Sequence, residues 1–496
     1  MASLDLEEAE AWLTAGRAAE ALMAAETLLA GGQGHAAGLR DRALAAIQAM
    51  DPQFAALQLA AAVHADSLKA QLDLGHAWLL QDRLADAERC FRQALTLDSG
   101  SAEAHASLGV VYHRAGIGEG AEHHSRQALA LDDAHVVASQ TLAAILLARG
   151  EAEAARSVEA RAYGRQSLFV QAVAEPRLRV LVLATVSTGN VPYKAIMPPT
   201  RYSRLVWYME YAREADRPAP DAYDVVFNAI GDADLASPSR AAVERFLAVC
   251  PKAVLNDPAQ VRLTRRDATP ERLGGLEGVV VPRTVRLGAA EIADRGLAAL
   301  AAAAGLEGPL LVRPIGSHGG QGLLRAAEPA DLERIAPAPG VDHYLTAYAD
   351  FRSADGLFRK YRVLFVDRRP FPYHEAISDG WLVHHETSGM TAFAERRAEE
   401  ARFLADPAAA VGEPAMAALT RIGRTLDLDY AGVDFAVLPD GRVLVFEANA
   451  TMLAHHEEPG GPFAYKNPYV DAITGAFQAL LARRAGRAES QSNGRW

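Results

Sequence analysis

The sequence predicts a multidomain protein of mixed α and α/β class. Its first third repeats with a period of 34 residues, which indicates an all-α region of paired helices. Residues 178–270 then alternate β-rich runs with a helical stretch, as in an α/β domain with a parallel sheet. A new run of strands begins at the segment PLLVRP. At roughly 100 to 200 residues per domain, a chain of this length has room for two to four domains.

The 34-residue period is visible at several positions of residues 69–168. RQALTLD at 92–98 returns as RQALALD at 126–132. This stretch resembles tetratricopeptide (TPR) repeats, which implies an all-α TPR solenoid over residues 1–168, with more degenerate helical pairs in residues 4–68. The alternative is an unrelated alanine-rich bundle. Small residues recur where antiparallel helices would cross, at Leu74-Gly75, Leu108-Gly109 and Leu142-Ala143, and at Ala87, Ala121 and Ala155.

The middle of the chain contains three apolar runs that are typical of buried parallel strands. They span residues 179–186, 223–232 and 252–257, and a helical stretch at 239–248 separates the last two. We expect a linker between the repeats and these strands at residues 171–177. A helix at 289–305 is expected to separate this domain from the strands that follow.

The composition disfavours several classes of function. A net charge of −12 argues against a general nucleic-acid or membrane-surface binder, which needs a basic surface. Cys90 and Cys250 are the two cysteines and lie outside any CxxC pair, so we expect neither a disulfide framework nor a zinc ribbon. An acidic N-terminus and the lack of an apolar run of about 20 residues predict a soluble cytoplasmic protein without a membrane partner. The polar residues 486–496 are expected to form a disordered tail.

The strongest site signal is a β-hairpin near the C-terminus. Two β-rich runs flank Asp440 and Gly441, which predicts a two-residue type I′ turn. Counting back from that turn places Asp434 directly opposite Glu447, with Asn449 two residues further along the same face. Opposed carboxylates need a positive charge between them, and oxygen ligands of this kind suit Mg²⁺. The alternative is a solvated hairpin face without an ion, which the apolar neighbours disfavour.

A second signal is the strand that carries Arg313 into a glycine-rich loop. Such loops allow backbone N–H groups to approach phosphates closely. Neither a Walker A motif nor a GxGxxG helix opening is present, so an ordinary flexible loop is the alternative. The loop glycines are Gly316, Gly319, Gly320 and Gly322.

A third signal is the strand KYRVLFV. It places Lys360 and Arg362 on one face and Tyr361 and Val363 on the other. Two cations on one strand face suit a polyphosphate. The alternative is a solvated edge face.

Taken together and in this order, these three signals behind an α/β domain resemble the ATP-grasp superfamily over residues 178–485. The resemblance is greatest to its carboxylate–amine ligases, such as the D-alanine–D-alanine and ribosomal-protein glutamylating types. It implies a preceding α/β domain at 178–270 and a two-subdomain α+β fold at 271–485, with ATP bound between the subdomains. It also implies that a carboxylate attacks the γ-phosphorus to give an acyl phosphate, from which an amine or other nucleophile then displaces phosphate.

The resemblance assigns roles to individual residues. Asp434, Glu447 and Asn449 would hold two Mg²⁺ ions. Arg313 would contact the α- and β-phosphates, and Arg362 the γ-phosphate or acyl phosphate; with Lys360 they are the candidate catalytic cations. A phosphate lid and an adenine-contacting hinge are implied at Gly316, Ser317, His318, Gly319 and Gly320, and at Thr346, Ala347 and Tyr348.

The sequence departs from the family pattern at three places. Arg313 stands where a lysine is usual, and a guanidinium pairs with phosphate in a different geometry from an ammonium. An earlier family lysine corresponds to either Arg265 or Arg266. Gly432 stands where the dipeptide ligases carry an arginine that stabilises the tetrahedral intermediate, which places a directly copied dipeptide-ligase mechanism in doubt.

Two histidine-rich patches lie where a substrate would be expected. They could contact substrate or act as acid–base groups near neutral pH, and the alternative is that they are ordinary surface or core residues. A zinc site is not expected, because adjacent histidines on an extended chain point to opposite faces. The candidate substrate residues are His374, His385, His455 and His456.

Three functions follow from these patterns. The first is an ATP- and Mg²⁺-dependent ligase that joins a carboxylate to an amine or related nucleophile, with a peptide or protein partner recruited by the TPR region, or with that region forming a homodimer. The second is a nucleotide-sensing TPR adaptor with a degenerate ATP-grasp module. The third is an ATP-grasp phosphotransferase. The complete Asp, Glu and Asn set favours an enzyme, whereas Arg313 and Gly432 favour the adaptor.

Overall fold

The computed structural model of the chain describes residues 5–186, 189–198, 200–317, 319–384 and 388–486. The chain divides into two compact units, Met1–Gln166 and Ser167–Trp496. Most of the predicted tail at 486–496 lies outside the described residues. Within the described residues, no helix is both long enough and apolar enough to cross a membrane.

The first unit consists of helices that pair with their neighbours in sequence. Successive pairs such as α5 with α6 and α7 with α8 pack along their lengths. The predicted all-α region of paired helices is therefore confirmed. The helices are α1 Leu6–Thr14, α2 Ala18–Ala30, α3 Ala37–Ala49, α4 Pro52–Val63, α5 Leu68–Leu80, α6 Leu84–Leu97, α7 Ala102–Arg114, α8 Gly118–Leu131, α9 Val136–Ala148 and α10 Ala152–Arg165.

The 34-residue period has a physical cause in the helix crossings. A Cβ atom at Gly75 would lie 2.5 Å from the ring of Phe91, and one at Gly109 would lie 2.7 Å from Ser125 Oγ. Both members of each contact are displaced by 34 residues from one repeat to the next. Only a residue without a side chain allows the two helices of each pair to approach this closely.

The second unit begins with a five-stranded sheet in the order β1-β3-β2-β4-β5. The predicted strand at 179–186 is its central strand and pairs in parallel with β3 and β4. The sequence did not reveal β1, which falls in the predicted repeat and linker, or β3. The elements are β1 Leu168–Gln171, β2 Leu178–Ala184, α11 Tyr193–Ile196, β3 Tyr202–Tyr208, β4 Val225–Asn228, α12 Arg240–Leu247, β5 Val254–Leu255, α13 Pro258–Arg262 and α14 Thr269–Leu273.

Two further sheets complete this unit, in the orders β7-β10-β8-β9 and β12-β11-β13-β14-β6. The helix predicted at 289–305 is two helices that meet at Gly296. The elements are β6 Val279–Val280, β7 Thr284–Leu287, α15 Ala289–Arg295, α16 Leu297–Ala303, β8 Leu310–Pro314, β9 Leu324–Ala326, β10 His343–Ala347, β11 Phe358–Val366, β12 Arg369–Ser378, α17 Ala394–Ala405, α18 Pro407–Val411, α19 Glu413–Leu426, β13 Tyr430–Val437, β14 Val443–Asn449 and α20 Asn467–Arg484.

The hairpin between β13 and β14 corrects one sequence prediction and confirms another. The turn is not a two-residue type I′ turn, because Leu438 N–H donates to Arg442 C=O (2.9 Å) across a three-residue loop that ends in Gly441 at φ 83°. This shifts the pairing near the loop by one residue. A bulge at Phe446 shifts it back, so Asp434 still lies opposite Glu447, as predicted.

A buried asparagine ties the first sheet to the hairpin. Asn256 has no exposed surface and adopts a left-handed backbone conformation (φ 57°) that asparagine tolerates better than most residues. Its side chain donates to Tyr430 C=O (3.0 Å) and accepts from Tyr430 N–H (2.8 Å), while its backbone N–H donates to Asp429 Oδ2 (2.8 Å). These bonds fix the start of β13 relative to β5.

We predict that Asn256→Ala lowers the free energy of unfolding by about 2–4 kcal/mol, because it leaves the buried N–H and C=O of Tyr430 without partners. Chemical unfolding monitored by circular dichroism measures the change. Asn256→Gly, which keeps the left-handed backbone but loses the same side-chain bonds, separates the two contributions. A loss below 0.5 kcal/mol in both variants would contradict this role.

Candidate active site

The second unit contains a cavity of about 560 Å³ that residues of its two later sheets line. Nearly all of its lining is uncharged. The charged side chains that line it are Arg266, Arg313, Lys360, Arg362, Asp434 and Glu447. Four cations and two carboxylates leave the lining with two net positive charges.

Asp434 is held by two cations of the neighbouring strand. Arg362 contacts both carboxylate oxygens, through Nε at 2.6 Å and Nη2 at 2.9 Å, and Lys360 Nζ lies 3.2 Å from Oδ2. Asp434 is 4% exposed. Burial alone would raise the pKa of Asp434, but Arg362 and Lys360 outweigh it and hold this pKa far below its ordinary range. The predicted shared face of Lys360 and Arg362 is confirmed, and it is neither solvated nor at a sheet edge, because β11 lies between β12 and β13.

Glu447 has its own cationic partner from a different segment. Arg266 Nη2 lies 2.6 Å from its Oε1, which also accepts from Asn449 Nδ2 at 2.5 Å. Burial raises the pKa of Glu447, but Arg266 and Arg313 together lower it to about 2. Of the two arginines that the sequence left as alternatives, Arg266 contacts the hairpin, whereas Arg265 pairs with Asp267 at 2.9 Å.

Arg313 contributes a charge that no carboxylate contacts among the described residues. Its Nε donates to Ser317 Oγ (3.2 Å) and its Nη2 to Ser317 C=O (2.9 Å). Burial and the nearby Arg266 lower the pKa of Arg313 to about 10, so it remains protonated at neutral pH. A buried cation without a carboxylate partner favours an anionic ligand beside it.

The glycine-rich loop lies beside this cluster. Gly319 and Gly320 line the cavity, while Gly316 and Ser317 line a small adjoining cavity of about 30 Å³ that shares Arg266 and Glu447 with the larger one. A Cβ atom at Gly319 would lie 3.3 Å from the imidazole of His384. His318 lies outside the described residues.

The rest of the cavity is predominantly apolar. Thr346, Ala347 and Tyr348 line it, as predicted for the hinge. The backbone N–H groups of Ala347 and Tyr348 already donate to Arg283 and Pro309 carbonyls, at 2.9 Å each, so a base here would have to use other backbone groups. The apolar lining includes Val281, Leu311, Phe351, Trp381, Leu444 and Phe446.

The predicted substrate histidines are distributed unequally around the site. His374 is buried, lies opposite Arg362 in the β11–β12 register, and its charge helps to lower the pKa of Asp434. His455 contacts Tyr373 Oη (3.1 Å) and His456 contacts Asp471 (2.8 Å), and neither lines the cavity. His385 lies outside the described residues.

Gly432 has a packing role that sequence reasoning missed. It pairs with Asn449, and a Cβ atom on it would lie 2.6 Å from Met452 Sδ and 2.7 Å from Leu364 Cδ2. Met452, which also lines the cavity, therefore fills the space above Gly432. The sequence gave no signal for this contact, because it depends on how the segment after β14 folds back.

Solved structures of ATP-grasp ligases match the C-terminal part of the chain, and solved structures of TPR proteins match its N-terminal part. A D-alanine–D-alanine ligase from Bacillus anthracis complexed with ATP is 14% identical over 63% of this chain and 100% of its own, with a TM-score of 0.37. A RimK domain ATP-grasp protein from Sphaerobacter thermophilus is 15% identical over 61% of this chain and 99% of its own (TM-score 0.36). A TPR protein from Thermus thermophilus is 23% identical over 32% of this chain and 89% of its own (TM-score 0.22).

No family model matches the chain, and no curated protein matches it. At the identities and TM-scores of the solved structures, their functions do not transfer to individual residues here. The function has to follow from the geometry of the chain itself.

We predict that Gly432→Ala lowers the free energy of unfolding by about 1–3 kcal/mol, because the added methyl group has no space beside Met452 and Leu364. Urea unfolding measures the loss. Adding Met452→Ala should reduce the extra cost of the alanine at 432, and equal costs with and without Met452 would contradict the contact.

We predict a pH-dependent effect of Glu375→Gln on the opposite face of β11 and β12. Burial, with Glu399 and Glu400 nearby, raises the pKa of Glu375 to about 8. Because the folded-state pKa lies above its ordinary value of 4.5, Glu375 costs nothing below pH 4.5, and the cost of ionisation on unfolding balance grows as the pH rises towards 8.

Relative to the wild type, Glu375→Gln should therefore gain about 3 kcal/mol of stability between pH 4.5 and pH 7. Unfolding at a series of pH values measures this difference. The exposed Glu395→Gln on α17 is the control and should show no such trend. A difference for Glu375→Gln that is constant with pH would contradict a raised pKa.

Proposed function

We propose that the second unit is an ATP- and Mg²⁺-dependent ligase that activates a carboxylate as an acyl phosphate and couples it to an amine or related nucleophile. The observation that carries this proposal is one cavity in which a cluster of four cations and two opposed carboxylates adjoins a largely apolar remainder. The cluster suits a polyphosphate, and the apolar part suits a nucleobase.

The charge of the cluster supports a triphosphate that arrives with a divalent cation. Arg266, Arg313, Lys360 and Arg362 outnumber the carboxylates by two. A fully ionised triphosphate carries more negative charge than this excess can balance, and Mg²⁺ supplies the remainder. Lone inorganic phosphate would leave the apolar part of the cavity without a function.

The hairpin residues fit a magnesium ion by their chemistry. Asp434 and Glu447 offer carboxylate oxygens from directly opposite positions, and Asn449 is a third oxygen donor on the same hairpin. The Asn449 amide oxygen accepts from Thr451 N–H (2.9 Å) and Oγ1 (3.1 Å), so its side chain would have to rotate to become a ligand. The two ions that the resemblance implies would share these three side chains. When bound, Mg²⁺ bridges phosphate oxygens and neutralises charge that develops during phosphoryl transfer.

The remaining residues would position the reacting groups. Arg313, which lacks a carboxylate partner, would bind the inner phosphates, and Gly319 and Gly320 would bring backbone N–H groups towards them. Lys360 and Arg362 would contact the γ-phosphate and then the acyl phosphate, stabilising the charge that moves onto the leaving phosphate. Thr346, Ala347 and Tyr348 would lie against the base, and His374 would face the substrate side of Arg362.

The helical unit would recruit a peptide or protein partner, or pair with a second copy of the chain. Repeated helical pairs offer extended surfaces of the kind that bind peptide segments. This role is independent of the nucleotide chemistry of the second unit. The carboxylate and the nucleophile remain defined here only by their chemical class.

We predict that the full chain binds ATP with Mg²⁺ and that Arg313→Met weakens binding by at least tenfold, because a charge-assisted hydrogen bond to phosphate contributes about 1.5–3 kcal/mol. Isothermal titration calorimetry measures both. Arg421→Met is the matched control, since Arg421 is exposed and contacts only the Glu277 carbonyl among the described residues.

Carboxylates and amines are then screened together for ADP release. Release that needs both substrates supports the ligase. Release with a single hydroxyl or carboxylate acceptor would favour a phosphotransferase, and ATP binding without turnover of any substrate would favour a nucleotide-sensing adaptor. Absence of ATP binding by the wild type would refute all three.

A further inference from the structure

The carboxylates of the cavity are held by cations of the chain itself. Asp434 takes a two-point contact from Arg362, at 2.6 and 2.9 Å, and a third contact from Lys360 at 3.2 Å. Glu447 Oε1 takes contacts from Arg266 at 2.6 Å and Asn449 at 2.5 Å. Any ligand for these carboxylates therefore has to compete with partners that are already in place.

A divalent cation by itself competes poorly for this position. To reach Asp434 it must break a two-point, charge-assisted hydrogen bond, which is among the stronger polar contacts in proteins. It must also add two positive charges to a buried cluster that already carries an excess of two, and repulsion between like charges is strong where water is excluded. Both effects oppose binding of the metal alone.

A polyphosphate meets the opposite situation. Its negative charge is attracted by the same excess, and its oxygens offer the N–H groups of Arg362, Lys360 and Arg266 new acceptors. Each group that turns to a phosphate releases a carboxylate oxygen of Asp434 or Glu447. The released oxygen becomes available to a divalent cation at the moment when phosphate oxygens are also present as ligands.

We propose that Arg362 and Lys360 are exchange partners of Asp434: they hold its carboxylate until a polyphosphate takes over their N–H groups, so that the divalent cation enters with the nucleotide or after it. This inference rests on the proposed function of the site. It gives the two cations a second role, as positioning residues for the metal ligand Asp434, besides binding phosphate.

Strand β11 offers a matched control for this proposal. Arg359 lies on the same strand, but its guanidinium contacts Asp355 at 2.7 Å and Glu399 at 2.5 Å and does not line the cavity. Arg359→Met therefore removes the same charge and the same number of atoms as Arg362→Met, one layer away from the site.

The test is binding of Mn²⁺ to the full chain without nucleotide, followed by the loss of the free-ion signal in electron paramagnetic resonance. The wild type and Arg359→Met should take up no Mn²⁺ at concentrations where Lys360→Met/Arg362→Met takes up about one equivalent. Arg362→Lys keeps the charge but loses the two-point contact and should fall between them. Binding by the wild type as tight as by the double variant would overturn the proposal.

A second measurement separates this proposal from the proposed function. Calorimetry with ATP and a chelator should show that the wild type binds the nucleotide without metal, more weakly than with Mg²⁺. If ATP binds but the wild type also binds Mn²⁺ alone, only the exchange proposal fails; if ATP does not bind even with Mg²⁺, the proposed function fails. Circular dichroism verifies folding, and where the double variant does not fold, Arg362→Lys decides: Mn²⁺ uptake above the wild type supports the exchange, and uptake equal to it overturns it.

Discussion

The opposition of two carboxylates across a single hairpin is the constraint on which the cavity of the second unit depends. Asp434 and Glu447 are too close together and too buried to remain ionised without positive partners. The chain supplies these from three separate segments: Arg266 before α14, Arg313 on β8, and Arg362 with Lys360 on β11. The need to compensate two negative charges thus brings the later sheets together around one cavity, and it leaves that cavity with an excess of positive charge.

The position of this hairpin is fixed by backbone features rather than by side-chain packing alone. The bulge at Phe446 restores the register that the three-residue loop would otherwise shift, and a slip of one residue would turn Glu447 to the other face of the sheet. Asn256 ties the first residue of β13 to the first sheet through three hydrogen bonds. The charged cluster is therefore built on rigid elements, as a site that must hold a reacting phosphate requires.

The sequence allowed much of this arrangement to be predicted, for reasons that differ between elements. The helical period was visible because each crossing contact, such as Gly75 with Phe91, repeats at the same spacing. The facing of Lys360 and Arg362 followed from strand alternation. The pairing of Asp434 with Glu447 was predicted correctly although the turn type was wrong, because the loop and the bulge shift the register by one residue in opposite directions. Strand β3, the contact of Met452 with Gly432, and the outward position of His456 could not be predicted, since each depends on tertiary contacts that leave no local pattern.

The measurement that tests the central claim most directly is the affinity of the wild-type chain for adenosine, AMP, ADP and ATP, each with Mg²⁺, under one set of conditions. If the cationic cluster binds phosphates and the apolar part of the cavity binds the base, affinity should rise with each added phosphate, and tripolyphosphate without the base should bind more weakly than ATP. Equal affinity for AMP and ATP, or for tripolyphosphate and ATP, would contradict this division of the cavity.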